Sequence, residues 1–372
     1  MEEIIMKALF VATVQSHIAQ FHLKAIELLK ENGYEVHVAA RNNLAEKNGL
    51  QLKNVDKVFD VPFQRSPFSG ANIQAYRKLK NIIVDGKYDI IHCNTPVGGI
   101  LTRLAARKEE GKVFYTAHGF HFYKGAPLLN WLIYYPIEKV MAHFTDKLVV
   151  INEEDYDLAK TKFKCPVYRI HGTGINAEKY KSVSESEIRE LRQKLGLQNK
   201  IIILCTGELN KNKNQSTIVN AMRTVVASVP NAVLLFAGNG PEKDNLNHLI
   251  IELGLKRNIK LIGYRTDLEK FVNMADIVAS ASLREGLGLN IIEAMYCRKP
   301  VIATDNRGHR ELITEGENGY LVSPENSNEF AEKIIDLCMD PEKRETMGEK
   351  GYTKSIPYWD VNVLKELKNI YW

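Results

Sequence analysis

Short apolar runs alternate with amphipathic stretches along nearly the whole chain. Residues 7–12 (KALFVA) form a continuous apolar run of strand length. Over residues 17–32, Ile18, Phe21, Ala25, Leu28 and Leu29 recur at helical spacing, and Gly33 is placed to end that helix. Strand-like runs return at 35–40, 89–92, 113–117, 147–151 and 167–170, with helical patterns between most of them. Such alternation predicts a parallel sheet covered by helices on both faces. Around His171-Gly172-Thr173-Gly174-Ile175-Asn176 the rhythm breaks. A charged helix over 185–195 then opens a second series, with strands at 201–205, 233–237, 259–261, 276–279 and 300–303. The pattern therefore predicts two α/β domains, 1–172 and 173–354. Over 355–372, Trp359, Val363, Leu367, Ile370 and Tyr371 mark one face of an amphipathic helix that needs a surface to dock on.

Composition narrows the class. The 372 residues are 45% hydrophobic and 26% charged, which is globular and neither disordered nor fibrous. The formal charge of +5 is too small to argue for nucleic acid, but suits an anionic ligand or an acidic membrane surface. Cys93, Cys165, Cys205, Cys297 and Cys338 are scattered, with no Cys-x-x-Cys pair, so a disulfide framework or zinc ribbon is not expected. The acidic start at residues 1–5 runs into a strand, unlike a secretory leader, and no apolar run reaches the roughly 18 residues of a membrane span. A soluble cytoplasmic protein is the expectation.

In open α/β sheets ligands bind beyond the carboxyl ends of the strands. The second domain places its unusual residues there: 206–214 with Gly207 and Lys213, 238–241, 263–265 with Tyr264 and Arg265, and 280–290. Within Glu285-Gly286-Leu287-Gly288-Leu289-Asn290-Ile291-Ile292-Glu293, the two glycines let the backbone approach a ligand. A helix starting near Leu289 aims free N–H groups at that ligand, which favours a phosphate. Lys213 supplies matching charge, and Glu293 lies within reach of sugar hydroxyls. The plainer alternative is a glycine-rich turn with two solvated glutamates. A hydrolase pair fits poorly: retaining glycosidases hold their carboxyls about 5–5.5 Å apart, whereas eight helical residues rise about 12 Å. In the first domain His118 stands at a strand's carboxyl end, either working on a ligand or packed beneath a loop. His118 and His121 lack an obvious third metal ligand. Residues 13–17 contain no glycine, so a dinucleotide fingerprint is absent there, and no Walker A sequence occurs. Aromatic residues crowd 114–144, together with Leu132, Ile133, Ile137 and Val140; core packing and a bilayer-resting surface flanked by Lys124 and Lys139 both account for them.

Residues 282–304 (SLREGLGLNIIEAMYCRKPVIAT) resemble the signature of the family 4 retaining glycosyltransferases, with a Glu-x7-Glu motif at Glu285 and Glu293. Gly238-Asn239-Gly240-Pro241, Gly263-Tyr264-Arg265 and Arg310-Glu311-Leu312 follow that family's order. His118-Gly119-Phe120-His121-Phe122-Tyr123 is similar to its capsular and exopolysaccharide branch. The resemblance spans essentially the whole chain. It implies the GT-B architecture, two Rossmann-like domains facing a cleft, with the helix at 355–372 crossing back onto the first domain. It implies an acceptor-side first domain and a nucleotide-sugar donor domain second.

Carried over residue by residue, Glu285 would contact the donor sugar beside its anomeric carbon, and Glu293 the ribose. The backbone around Gly288, Leu289 and Asn290 would hold the diphosphate, with Gly207 and Gly286 also on the donor side, and the backbone near Tyr264 and Arg265 would flank the base. Lys213 would neutralise the leaving diphosphate, and His118 would contact the transferred sugar. Where the family has arginine after the glycine matched by Gly207, this chain has Glu208, so Lys211, Arg284 or Arg307 would have to compensate. Ser16 and His17 stand where the family carries a glycine pair, on the acceptor or phosphate side. The implied reaction moves a sugar, here expected to be an N-acetylhexosamine from UDP, onto a lipid-diphosphate-linked glycan for surface polysaccharide. It needs no metal or other cofactor and takes place at the inner face of the membrane. A UDP-sugar epimerase and a non-catalytic nucleotide-sugar-binding subunit are the competing readings.

Overall fold

The structure is a computed structural model that describes residues 5–46 and 50–372. The reading of residues 1–4 as leaderless lies outside the described residues. Two compact units divide the chain: Met1–Gly174 with Asp360–Trp372, and Ile175–Trp359.

In the first unit the strands are β1 (Lys7–Val14), β2 (Glu35–Arg41), β3 (Lys57–Asp60), β4 (Ile90–Asn94), β5 (Lys112–Ala117), β6 (Lys147–Val150) and β7 (Val167–Arg169). They form one parallel sheet in the order β3-β2-β1-β4-β5-β6-β7. The second unit contains β8 (Ile201–Thr206), β9 (Ala232–Ala237), β10 (Ile259–Gly263), β11 (Ile277–Ser280), β12 (Val301–Thr304) and β13 (Gly319–Val322). Its order, β10-β9-β8-β11-β12-β13, is that of a Rossmann sheet. Central strands β1, β8 and β9 are almost entirely buried because helices cover both faces, which is why they read as unbroken apolar runs. The second core gathers Ile203, Leu234, Phe236, Ile277 and Ile302 from the strands, with Ile218, Met222 and Phe330 from the helices.

Three details depart from the sequence expectation. The helix expected over 17–32 is two, Gln15–Phe21 and Leu23–Glu31, interrupted at His22, where φ is −124° and ψ is 2°. Strands β3 and β13 were not anticipated: β3 is largely exposed, and β13 is four residues long and opens on a glycine, so neither carries the apolar run of a central strand.

The C-terminal segment is also divided. Residues 356–358 form a 3₁₀ turn, Trp359 is extended, and the helix is Asp360–Tyr371. Val363, Leu367, Ile370 and Tyr371 are buried in the first unit, where the Tyr371 hydroxyl lies 2.6 Å from His92 Nδ1 and its ring stacks on Phe114. Trp359 does not share that face. It bridges to Ile175, donates its indole N–H to Ser355 Oγ at 3.1 Å, and packs on Tyr296 and Tyr352. The helix that folds with the first unit therefore begins at Asp360, not at residue 355.

Below β5, the guanidinium of Arg103 meets Glu138 at 2.8 Å and lies over the Tyr115 ring at 3.9 Å. It ties helix Pro96–Ala106 to helix Leu128–Met141, and both charged side chains are almost fully buried. No helix among the described residues is long and apolar enough to cross a membrane.

Breaking this pair from one side strands a charge. Glu138→Ala is expected to destabilise the first unit by about 3–5 kcal/mol, while the double change Arg103→Met with Glu138→Leu costs far less. Urea denaturation of the three proteins checks this, and a single-mutant loss below about 1 kcal/mol contradicts it.

Candidate active site

In both sheets the connections reverse direction beside the first strand of the unit, between β1 and β4 and between β8 and β11. Loops leaving those strand pairs diverge, which opens a crevice at the carboxyl edge.

In the second unit the loop after β8 carries Gly207, Glu208 and Lys213, and the loop after β11 carries Glu285, Gly286 and Gly288. The Lys213 ammonium donates to Glu285 Oε1 at 2.5 Å, with 24% and 16% of the two side chains exposed. Two hydrogen bonds hold the loops together: Leu283 N–H reaches the Asn212 carbonyl at 2.7 Å, and the Asn212 side-chain amide donates to the Arg284 carbonyl at 3.0 Å. Asn210 Oδ1 accepts from the Lys213 backbone N–H at 2.9 Å and fixes where that residue starts. Gly207 has φ +131°, and a Cβ on Gly238 would stand 1.9 Å from the Gly207 carbonyl oxygen. The loops after β8 and β9 thus approach at a distance that admits glycine alone. Behind Glu285, a Cβ on Gly308 would lie 2.8 Å from its Cβ.

Helix Leu289–Tyr296 begins at Gly288 without a side-chain cap. The Leu289 and Asn290 amides have no helical acceptor, as at any helix start, and face an anion well. The Asn290 side-chain amide is buried there without a partner. Glu293, one turn in, is half-buried and hydrogen-bonded by Tyr180. Burial pushes its carboxyl above the usual range, against the Tyr180 hydrogen bond and the Lys179 charge. Glu285 and Glu293 therefore have separate partners and separate environments.

The remaining donor-side candidates sit at the same strand ends. Tyr264 is exposed, while Arg265 is held by Asp267 at 2.7 and 2.8 Å and lies over Phe271, which leaves the backbone of this loop to meet a base. Glu208 is exposed and accepts from Asn210 at 3.0 Å. Lys211 and Arg284 are exposed, whereas Arg307 is buried with Nε 3.4 Å from the Glu285 carbonyl. Arg307 is thus the one of the three packed on the Glu285 loop.

In the first unit His118, after β5, has Nε2 3.2 Å from Nε2 of His17 and 3.4 Å from Asn94 Oδ1. Burial pushes the His118 imidazole down to about 4, so the ring is neutral at pH 7. Ser16 is buried: its N–H donates to Asn43 Oδ1 at 3.0 Å and its hydroxyl accepts from Asn43 at 2.9 Å. Thr95, beside Asn94, has φ +66°, strained for a β-branched residue and located at the switch point. His121, considered with His118 as a metal ligand, instead packs on Tyr134.

Sequence reasoning missed several members of these sites. Tyr180 reaches Glu293 from a short helix far earlier in the chain. His309 is fully buried, with Nδ1 2.7 Å from the Thr304 carbonyl and Nε2 3.3 Å from Ser280 Oγ, and a Cβ on Gly288 would stand 3.1 Å from its ring. Burial keeps this imidazole low as well, opposed by the charge of Glu285. His22 and Asn94 complete the first unit's polar edge. No local pattern marks these residues, since each depends on a contact made by folding.

The two doubly wound sheets are those of the GT-B fold. Family signatures agree: Glycosyl transferases group 1 matches residues 187–354, and Glycosyl transferase 4-like matches 7–152. The chain belongs to this glycosyltransferase family. It is 42% identical over 371 residues to EpsD of Bacillus subtilis, covering 98% of this chain and 96% of that one. It is 24% identical over 337 residues to UDP-Gal:alpha-D-GlcNAc-diphosphoundecaprenol alpha-1,3-galactosyltransferase of Escherichia coli, covering 87% of this chain and 85% of the other. Anabaena HepE, solved with UDP, superposes with a TM-score of 0.80 at 23% identity, covering 98% of this chain and 99% of its own.

The glycine contact carries a direct test. Gly238→Ala forces the loops after β8 and β9 apart, with an expected loss of about 1–3 kcal/mol. A thermal transition indistinguishable from the parent would contradict the close approach.

Proposed function

We propose that the chain transfers a sugar, N-acetylhexosamine by preference, from UDP to a lipid-diphosphate-linked glycan with retention of anomeric configuration. The observation that carries this reading is the Lys213–Glu285 pair at the β8/β11 switch point, beside the start of helix Leu289–Tyr296. Bound UDP in HepE and the lipid-linked acceptor in the name of the Escherichia coli relative support the substrate classes.

The chemistry follows from charge. An entering diphosphate competes with Glu285 for Lys213. Once Lys213 turns to the phosphate, the Glu285 carboxylate is released to accept hydroxyls of the donor sugar. As the bond from the anomeric carbon to the diphosphate oxygen breaks, negative charge grows on that oxygen. Lys213 and the Leu289 and Asn290 amides stabilise it, which makes a metal unnecessary in this reading. The acceptor oxygen bonds to the anomeric carbon from the face the diphosphate leaves, and its proton passes to the leaving phosphate. Glu293 accepts from the ribose hydroxyls, with Tyr180 holding the carboxylate in place. The neutral His118 ring hydrogen-bonds the transferred sugar. Arg307 supplies positive charge where Glu208 replaces the family arginine.

The reading also includes peripheral attachment at the inner face of the cell membrane, through helix Leu128–Met141. Its aromatic residues turn inward: Trp131, Tyr134 and Tyr135 pack on the core, and the Trp131 indole donates to the Tyr123 carbonyl at 3.2 Å. The outward face is Leu128, Leu129, Leu132 and Val140, at 81%, 64%, 73% and 54% exposure, with Lys124 and Lys139 alongside. Apolar side chains flanked by lysines fit an anionic bilayer surface.

Acceptor-dependent UDP release from UDP-N-acetylhexosamine tests the reaction. Glu285→Gln is expected to reduce release by about 10²–10³-fold while calorimetry still shows UDP binding. Glu293→Ala is expected to weaken UDP binding itself. Conversion without acceptor supports an epimerase instead, and binding without turnover supports a partner subunit.

For the membrane face, changing Leu128, Leu129 and Leu132 together to serine should abolish co-sedimentation with phosphatidylglycerol vesicles. Unchanged sedimentation removes this face from the account.

A further inference from the structure

The first unit's carboxyl edge brings together three histidines that the sequence scatters. His17 lies in helix Gln15–Phe21, His22 breaks the chain at the end of that helix, and His118 follows β5. One ring nitrogen from each falls within 4.8 Å of the other two. Nε2 of His17 and Nε2 of His118 are 3.2 Å apart. Two imidazoles bound to one tetrahedral zinc at 2.0–2.1 Å place their nitrogens about 3.3 Å apart, so this edge of the tetrahedron is already formed.

The second observation is independent of that spacing. His22 is 4% exposed, and its Nε2 has no hydrogen-bond partner. A buried ring nitrogen without a partner destabilises the fold unless a ligand satisfies it. Its ring stands 5.3 Å from both His17 and His118, centroid to centroid. The neighbouring His92 is not available, because Tyr371 occupies its Nδ1 at 2.6 Å and Thr116 its Nε2 at 2.7 Å. Asn94 Oδ1 lies 3.4 Å from His118 Nε2 at the same edge.

The geometry points to a three-histidine site for a divalent transition-metal ion of the zinc class, formed by His17, His22 and His118 with one coordination position open. Imidazole donors select Zn²⁺, Co²⁺ or Ni²⁺ over the oxygen-seeking Mg²⁺ and Ca²⁺. Burial lowers all three imidazoles, so at neutral pH each ring is neutral and has one nitrogen free of a proton, and a bound ion replaces the hydrogen bond between His17 and His118. On the function proposed above, where His118 touches the transferred sugar, a bound ion occupies that ring and competes with the donor. The metal would then act as an inhibitor of transfer and not as its cofactor.

Titration of the chelator-treated full chain with Co²⁺ tests the site without reference to activity. The expected result is an intense visible ligand-field band that Zn²⁺ abolishes and excess Mg²⁺ does not. His17→Gln and His118→Gln should each weaken Co²⁺ binding by at least about tenfold, with unchanged circular dichroism, while His121→Ala binds like the parent. A parent spectrum no different from aqueous Co²⁺, or equal binding by the two glutamine variants, overturns the proposal. Inhibition of sugar transfer by Zn²⁺, relieved by chelator, is read separately. Zn²⁺ bound by these histidines without inhibition leaves the site standing and removes His118 from the sugar.

Discussion

The second unit turns on the ion pair between Lys213 and Glu285. Each residue belongs to a different loop, and each loop leaves one of the two strands that flank the switch point of the sheet. A half-desolvated pair of this kind adds little net stability, because attraction is offset by lost hydration. Its consequence lies in position and charge. The cation stays beside an uncapped helix start, where an anion is stabilised, and the carboxylate stays neutralised until something more anionic arrives. The glycine contact between Gly207 and Gly238 and the packing of Gly308 on Glu285 set the backbone that makes the pair possible.

The two sheets share one connectivity rule and end in different chemistry. Both reverse beside the first strand of the unit, which opens the same kind of crevice. In the second unit that edge carries formal charges and backbone amides suited to a diphosphate. In the first it carries imidazoles kept neutral by burial, together with Asn94 and the strained Thr95. A neutral, hydrogen-bonding edge suits hydroxyl groups or a metal ion better than phosphate. The same fold thus presents two kinds of ligand surface through the residues placed at its strand ends.

Much of the fold was legible because central parallel strands must be apolar on both faces. The runs at 201–205 and 113–117 appear in the structure extended by a residue, and helix Glu185–Leu195 falls where its charge pattern placed it, with Ser184 and Glu187 forming a capping box. Edge strand β3 escaped because it is largely exposed, and β13 because it is buried but only four residues long and opens on a glycine, too short for a recognisable run. His22 was hidden inside an apparently continuous helical period. Trp359 matched the face of the last helix by spacing, but its indole belongs to a cluster with Tyr296 and Tyr352. Helix Leu128–Met141 shows the same limit: periodicity found the apolar residues, and only packing showed that the aromatics face in and the leucines out. At the site, Glu285, Glu293 and Lys213 were visible as a pattern, whereas Tyr180 and His309 are visible only as contacts.

The most direct test of the central claim is a crystal structure of the full chain with UDP bound. The account predicts diphosphate oxygens within hydrogen-bond distance of Lys213 Nζ and of the Leu289 and Asn290 amides, ribose hydroxyls on Glu293, and Lys213 drawn away from Glu285. UDP bound elsewhere, or bound here with the Lys213–Glu285 pair intact and no phosphate on the helix start, would contradict it.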